Sequence, residues 1–115
     1  MNQTGKFRET AATYRKYGWR LAHVLMRPET LSELRASTGG EAARFEEVAI
    51  EESTVDAMWF TRPAQGGRDA WELRLVAEPP FALFELFEPD EAEEDRADVR
   101  RELEAQLKAR MNGEE

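Results

Sequence analysis

Between Arg44 and Glu88 the apolar residues keep a period of two: Val48 and Ile50, then Val55, Ala57 and Trp59, then Trp71, Leu73 and Leu75, then Ala82, Phe84 and Leu86. A stretch that alternates this way puts every second side chain on one face of an extended backbone, which a helix cannot do. The pattern predicts four antiparallel strands. Short polar or proline-bearing segments separate them, Ser53–Thr54, then residues 62–69 (RPAQGGRD), then residues 78–81 (EPPF), as in a meander. A last turn centred on Pro79–Pro80 sets Leu75 opposite Phe84, Leu73 opposite Leu86 and Arg74 opposite Glu85.

Helical spacing flanks this block on both sides. Phe7, Ala11, Tyr14, Gly18, Leu21 and Leu25 are spaced by four and three, which predicts one helix from Phe7 to Leu25 that Pro28 terminates. Thr30 and Glu33 of TLSE form a capping-box pattern, so a short second helix is expected before Gly39–Gly40. After Pro89, acids come first and Arg100, Arg101, Lys108 and Arg110 later, an order that suits the helix dipole, with Asp90 as the expected cap. Val99, Leu103, Leu107 and Met111 form the narrow apolar stripe of this long C-terminal helix, and residues 112–115 read as a tail. The expected fold is one α+β domain over 1–115: an N-terminal helix and a short second helix, a four-stranded antiparallel meander sheet, and a long C-terminal helix.

Charge narrows the range of functions. The 115-residue chain carries a net charge of −8, yet residues 1–28 hold six cations (Lys6, Arg8, Arg15, Lys16, Arg20 and Arg27) against Glu9. A basic segment on an acidic body disfavours general binding to nucleic acid, because the body repels phosphates. Cysteine is absent, which removes disulfides, thiolate metal sites and cysteine nucleophiles and suits a reducing cytoplasm. No stretch approaches the ~20 apolar residues of a membrane span, and the N-terminus lacks the apolar core of a secretory leader.

Each candidate motif has a plainer structural explanation. The aromatics and cations of YRKYGWR, residues 14–20, fall on different sides of a helix rather than on one base-stacking platform. His23 is the single histidine and has no ligand or acid at helical spacing to orient it, so neither catalysis nor metal binding is expected of it. The acids after Pro89 lack the spacing of a calcium loop, and residues 64–70 (AQGGRDA) lead into a strand rather than into the helix a phosphate cradle needs. No cofactor, no metal and no enzymatic activity are expected.

One feature resists a plain explanation. If Trp59, Trp71, Leu73, Leu75, Phe84 and Leu86 fill the core, the opposite parity carries Met58, Phe60, Val76, Phe81, Leu83 and Phe87. Six apolar residues on a solvated face imply a contact surface. The expectation is a non-catalytic, chaperone- or adaptor-like module that binds a protein partner or itself as a homodimer, with neither generic nucleic acid nor a membrane as partner. The alternatives are a winged-helix DNA binder using residues 30–51, and a small-ligand site between helix and sheet walled by Tyr14, Trp59 and Trp71.

Overall fold

The computed structural model describes residues 2–40 and 44–113. Among them the chain runs α1 (Gln3–Lys16), β1 (Arg20–Met26), α2 (Pro28–Thr38), β2 (Arg44–Phe45), β3 (Val48–Glu52), β4 (Ala57–Pro63), β5 (Asp69–Leu75), β6 (Phe81–Phe87) and α3 (Glu93–Met111). The α+β class holds. The sheet has six strands and is mixed, in the order β2-β3-β1-β4-β5-β6. Only β4, β5 and β6 follow the expected meander, and β1, not β3, lies beside β4.

The first helix is shorter than its apolar spacing predicts, because the chain turns at Gly18. Trp19 N donates to Tyr14 O and Gly18 N to Arg15 O, both at 3.0 Å, and Gly18 has φ +87°. This pair of bonds around a left-handed glycine is a Schellman stop, and glycine adopts that φ without steric cost. Residues 20–26 then form a strand in mid-sheet. Val24, Leu25 and Met26 are all buried, since β1 is covered on both faces and the run shows no alternation to read. Ala22 is the extra residue of a bulge opposite β4.

β1 pairs in parallel with β3, Val24 opposite Ile50 and Met26 opposite Glu52, and α2 makes the crossover that a parallel pair requires. β2 folds back on β3 through Glu46 and Glu47, whose φ values of +48° and +73° are those of a tight two-residue hairpin turn. The recognition helix of a winged-helix domain is therefore not formed over 44–51, and residues 41–43 of that segment lie outside the described residues. The expected extension from Val48 is present.

Helices cover both sheet faces. On the front, Phe7, Ala11 and Tyr14 of α1 and Leu31 and Leu34 of α2 pack with Val24, Met26, Phe45, Met58, Phe60 and Val76. On the back, Leu103 and Leu107 of α3 pack with Leu25, Val55, Ala57, Trp59, Leu73 and Leu75. α3 begins at Ala92 with no side-chain cap, so Asp90 does not play that role, while Glu93, Glu94 and Asp95 do occupy its first turn. Of the expected tail, Asn112 caps α3, Gly113 follows it, and 114–115 lie outside the described residues.

The β5–β6 register differs from the expected one by three residues. Leu75 faces Phe81 and Leu73 faces Leu83, so the connection centres on Glu78 instead of on the two prolines. An odd shift turns every side chain of β6 to the other face. Phe81 and Leu83 thereby join the back core, and Phe84 and Leu86 turn to the front. The docking of α3 rewards this register: Arg110 lies 3.9 Å from the Phe81 ring centroid and Arg96 lies 5.4 Å from that of Phe87, each guanidinium roofing an aromatic.

A buried carboxylate ties the front layer to the sheet. Asp56, 4% exposed, accepts from Gln3 Nε2 (3.0 Å), Arg27 N (2.8 Å), Arg27 Nε (3.1 Å) and Thr30 Oγ1 (2.7 Å). Gln3 also donates to Val76 O at 2.7 Å. Replacing Asp56 by alanine removes the acceptor of the buried Thr30 hydroxyl and of Arg27 N, while Gln3 keeps Val76 O and the half-exposed Arg27 guanidinium turns to water. Asp56→Ala is expected to lower the free energy of unfolding by about 3 kcal/mol, read as a smaller urea midpoint with an unchanged slope.

Candidate functional site

The six residues expected to form one open apolar face do not meet. Met58, Phe60 and Val76 lie on the front beneath α1 and α2, with Met58 at 0% and Phe60 at 1% exposure. Phe60 stacks on Tyr14 at 4.1 Å between ring centroids. Phe81, Leu83 and Phe87 lie on the back under α3, where Phe87 is buried and the other two are half-buried. The three-residue register shift separates the two trios, and the chain's own helices cover both. Tyr14 is likewise on the opposite side of the sheet from Trp59 and Trp71, so these three wall no common pocket.

Two other places could act on a partner. The first is a groove of about 540 Å³ on the back, between α3 (Arg100, Arg101, Glu104, Lys108) and the β1–β3 rim (His23, Leu25, Glu51). Three of its ionic groups are engaged already. Arg100 pairs with Glu93, Arg101 with Asp98, and Glu104 accepts from Trp59 Nε1 at 2.7 Å. His23 stacks on Trp71 with centroids 6.0 Å apart and planes 25° apart, and Arg100 lies 4.6 Å from the same Trp71 ring centroid. That arrangement orients the imidazole by packing, and no carboxylate of the groove hydrogen-bonds to it among the described residues. Among the described residues no group of acids, histidines or cysteines could hold a metal ion.

The second place is the β6 edge. Strand pairing fixes which of its backbone groups are free. Val76 N donates to Asp56 O and Ala64 N to Arg68 O, so the hydrogen-bonded pairs between β4 and β5 are those of the even-numbered residues. The odd-numbered residues of β5, from Asp69 to Leu75, must then bond to β6, and they face Phe87, Glu85, Leu83 and Phe81. Ala82, Phe84 and Leu86 consequently aim their N–H and C=O groups away from the sheet. The same three side chains stand on the front face at the sheet margin, where Tyr14 of α1 lines a shallow groove with Ala82 and leaves Phe84 open. Phe84 is 56% exposed, Ala82 is exposed and Leu86 half-exposed.

This edge lacks the usual guards. Exposed edges are normally short, bulged, or carry lysine or proline. β6 has seven residues, an unbroken register with β5, one charge (Glu85) and no proline or lysine within it. The opposite edge, β2, is two residues long. Sequence reasoning named Phe84 as core, because the exposed parity cannot be assigned without the register.

Comparisons with protein-family models, with curated proteins and with solved structures find no match. Among the described residues no helix is long and apolar enough to cross a membrane.

Electrostatics at both places follow from packing. Burial, and then the Glu72 carboxylate that accepts its hydroxyl proton, push Tyr14 up to about 12. Burial, and then the positive Arg100, hold His23 below its ordinary 6.5, with Glu104, Glu51 and Glu93 opposing. A histidine whose pKa falls on folding contributes stability that is complete above pH 6.5 and is lost as pH falls through the folded value. The single imidazole is expected to titrate below 6.5 by NMR, and Arg100→Gln to move it part of the way back, because burial remains. A titration at or above 6.5 in the wild type contradicts the packing described.

Proposed function

We propose that this chain is a non-catalytic protein–protein interaction module, adaptor- or chaperone-like, that takes up an extended polypeptide along β6. The observation that carries this reading is the open edge: three consecutive outward-facing positions, Ala82, Phe84 and Leu86, join free backbone groups to an apolar strip. Main-chain bonds to an added strand would supply affinity, and alternate side chains would supply choice of partner. The engaged charges around His23 favour binding over catalysis. Nucleic acid is a poor occupant, since the body carries net −8 and no cationic row lines the strand. A cytoplasmic location belongs to the same proposal and rests on the cysteine-free sequence.

The proposal is tested by amide hydrogen exchange. A peptide of residues 80–88 carrying lysine tails for solubility is added to the full chain, and the amides of Ala82, Phe84 and Leu86 are followed. They are expected to be protected, either by the peptide or already by whatever occupies the edge in solution, and Phe84→Lys is expected to remove that protection while circular dichroism stays unchanged. If these three amides exchange as freely as those of an unstructured chain with and without peptide, the edge binds nothing and the reading fails. By contrast, Phe60→Glu places a charge among α1, Met26 and Met58 and is expected to unfold the domain.

A further inference from the structure

We infer that the strand which completes the β6 edge is β6 of a second copy, running antiparallel, with the two-fold axis at Phe84. The inference rests on the edge-binding reading above and adds the identity and register of the occupant.

Three features of β6 make it complementary to itself. The first is its hydrogen-bonding phase. Because Ala82, Phe84 and Leu86 all point their backbone groups outward, a two-fold at Phe84 pairs Phe84 with the partner's Phe84 and Ala82 with the partner's Leu86, and each pair exchanges both of its bonds. No outward group is left over. The second is the side-chain pattern. Read from Phe84 in both directions, the strand has Leu83 and Glu85, then Ala82 and Leu86, then Phe81 and Phe87. On the front face the small Ala82 meets the larger Leu86 of the partner on either side of a Phe84 pair, so apolar meets apolar along the whole strip. Phe84, the most exposed phenylalanine of the described chain, becomes the centre of the contact.

The third feature is charge. Glu85 is the single charge on the strand, and self-pairing seats it opposite the partner's Leu83 and diagonally between the partner's Phe81 and the partner's Glu85, so the two acids near the axis need a cation beside them. Arg110 lies 3.9 Å from the Phe81 ring centroid in each copy, so each acid arrives next to a cation of the other. Symmetry makes this contact twice. The length also matches. Pro79–Pro80 before the strand and Pro89 after it end the pairing at the same places in both copies, whereas a foreign strand carries no such limits.

The absence of cysteine makes the register directly measurable. Across a hydrogen-bonded antiparallel pair the Cα atoms are ~5.5 Å apart, within the ~4.4–6.8 Å that a disulfide spans. Homotypic contacts at residue 82 or 86 would be four residues out of register, roughly 13 Å. Under mild oxidation Phe84→Cys is expected to form a covalent dimer, Ala82→Cys and Leu86→Cys alone are not, and an equimolar mixture of those two is. The mixture retains the Phe84 pair and covers the case in which losing the ring weakens assembly. Light scattering is expected to find a dimer for the wild type and at least about tenfold weaker association for Phe84→Lys, which places like charges opposite one another. Homotypic bridging at 82 or 86 overturns the register. A chain that stays monomeric and cross-links in none of these forms overturns the inference as a whole. If the lysine-tailed peptide still protects the three edge amides of such a monomer, edge binding survives with a foreign occupant; if it does not, both readings fall together.

Discussion

The carboxylate of Asp56 holds the two helices of the front layer in register with the sheet. It sits just before β4 and collects the side chain of Gln3 at the start of α1, the backbone and guanidinium of Arg27 at the end of β1, and the hydroxyl of Thr30 in the first turn of α2. A buried acid left alone would be costly, and four donors offset that cost only if all of them are delivered to one point. The start of α1, the β1–α2 junction and the entry to β4 therefore have to converge there, which fixes α1 and α2 over the centre of the sheet. Glu33 adds a second tie, accepting from Thr4 N at 2.8 Å, and this bond holds its carboxyl below the usual carboxylate range.

That placement has a geometric consequence. Helices are ~10 Å across and strands ~4.8 Å apart, so two helices roof roughly four strands. A six-stranded sheet with its front helices pinned at the centre is left bare at its margins. At one margin the chain shortens the strand to Arg44–Phe45. At the other it does not, and Phe84 stands 56% exposed while Ala82 lies at the rim of a groove that Tyr14 also lines. The back layer meets the same shortage with a single helix. There, arginines extend the roof: Arg100 over Trp71, Arg96 over Phe87 and Arg110 over Phe81 widen the cover that α3 gives beyond its own apolar stripe of Leu103 and Leu107.

The sequence made some of this plain and concealed the rest for identifiable reasons. β4 and β5 alternate visibly and α3 shows its dipole order, so their existence and type could be read. α2 exists where expected, but its capping box is not formed, because the helix starts at Pro28 without a side-chain cap, Thr30 turns to Asp56 and Glu33 to Thr4 N. β1 could not be read, because a strand covered on both faces has no period of two, and because Gly18, Leu21 and Leu25 happen to continue the spacing of α1 past its Schellman stop. The loss of β1 then forced β3 beside β4 and made the sheet an all-antiparallel meander. The candidate site failed at a different step. A turn placed symmetrically on Pro79–Pro80 is three residues out of register, which exchanges the two faces of β6 and puts Phe84 in the core and Leu83 on the surface. The Asp56 cluster has no local signature, since its donors lie 26 to 53 residues away along the chain.

An open apolar edge on a chain of this charge is a balance of two tendencies. A seven-residue strand of high β propensity with one acid is the kind of segment that stacks without limit when it is exposed on both sides. Here only one side is free, because β5 occupies the other, and among the described residues the far edge strand of the sheet, β2, is two residues long. The net charge of −8 opposes indiscriminate approach of copies at long range, while at contact the outward positions of β6 are all apolar and its acid lies within reach of a cation. Long-range repulsion with short-range complementarity would favour the proposed closed pairing over open aggregation, which is a physical route by which an edge this bare could persist in a folded protein.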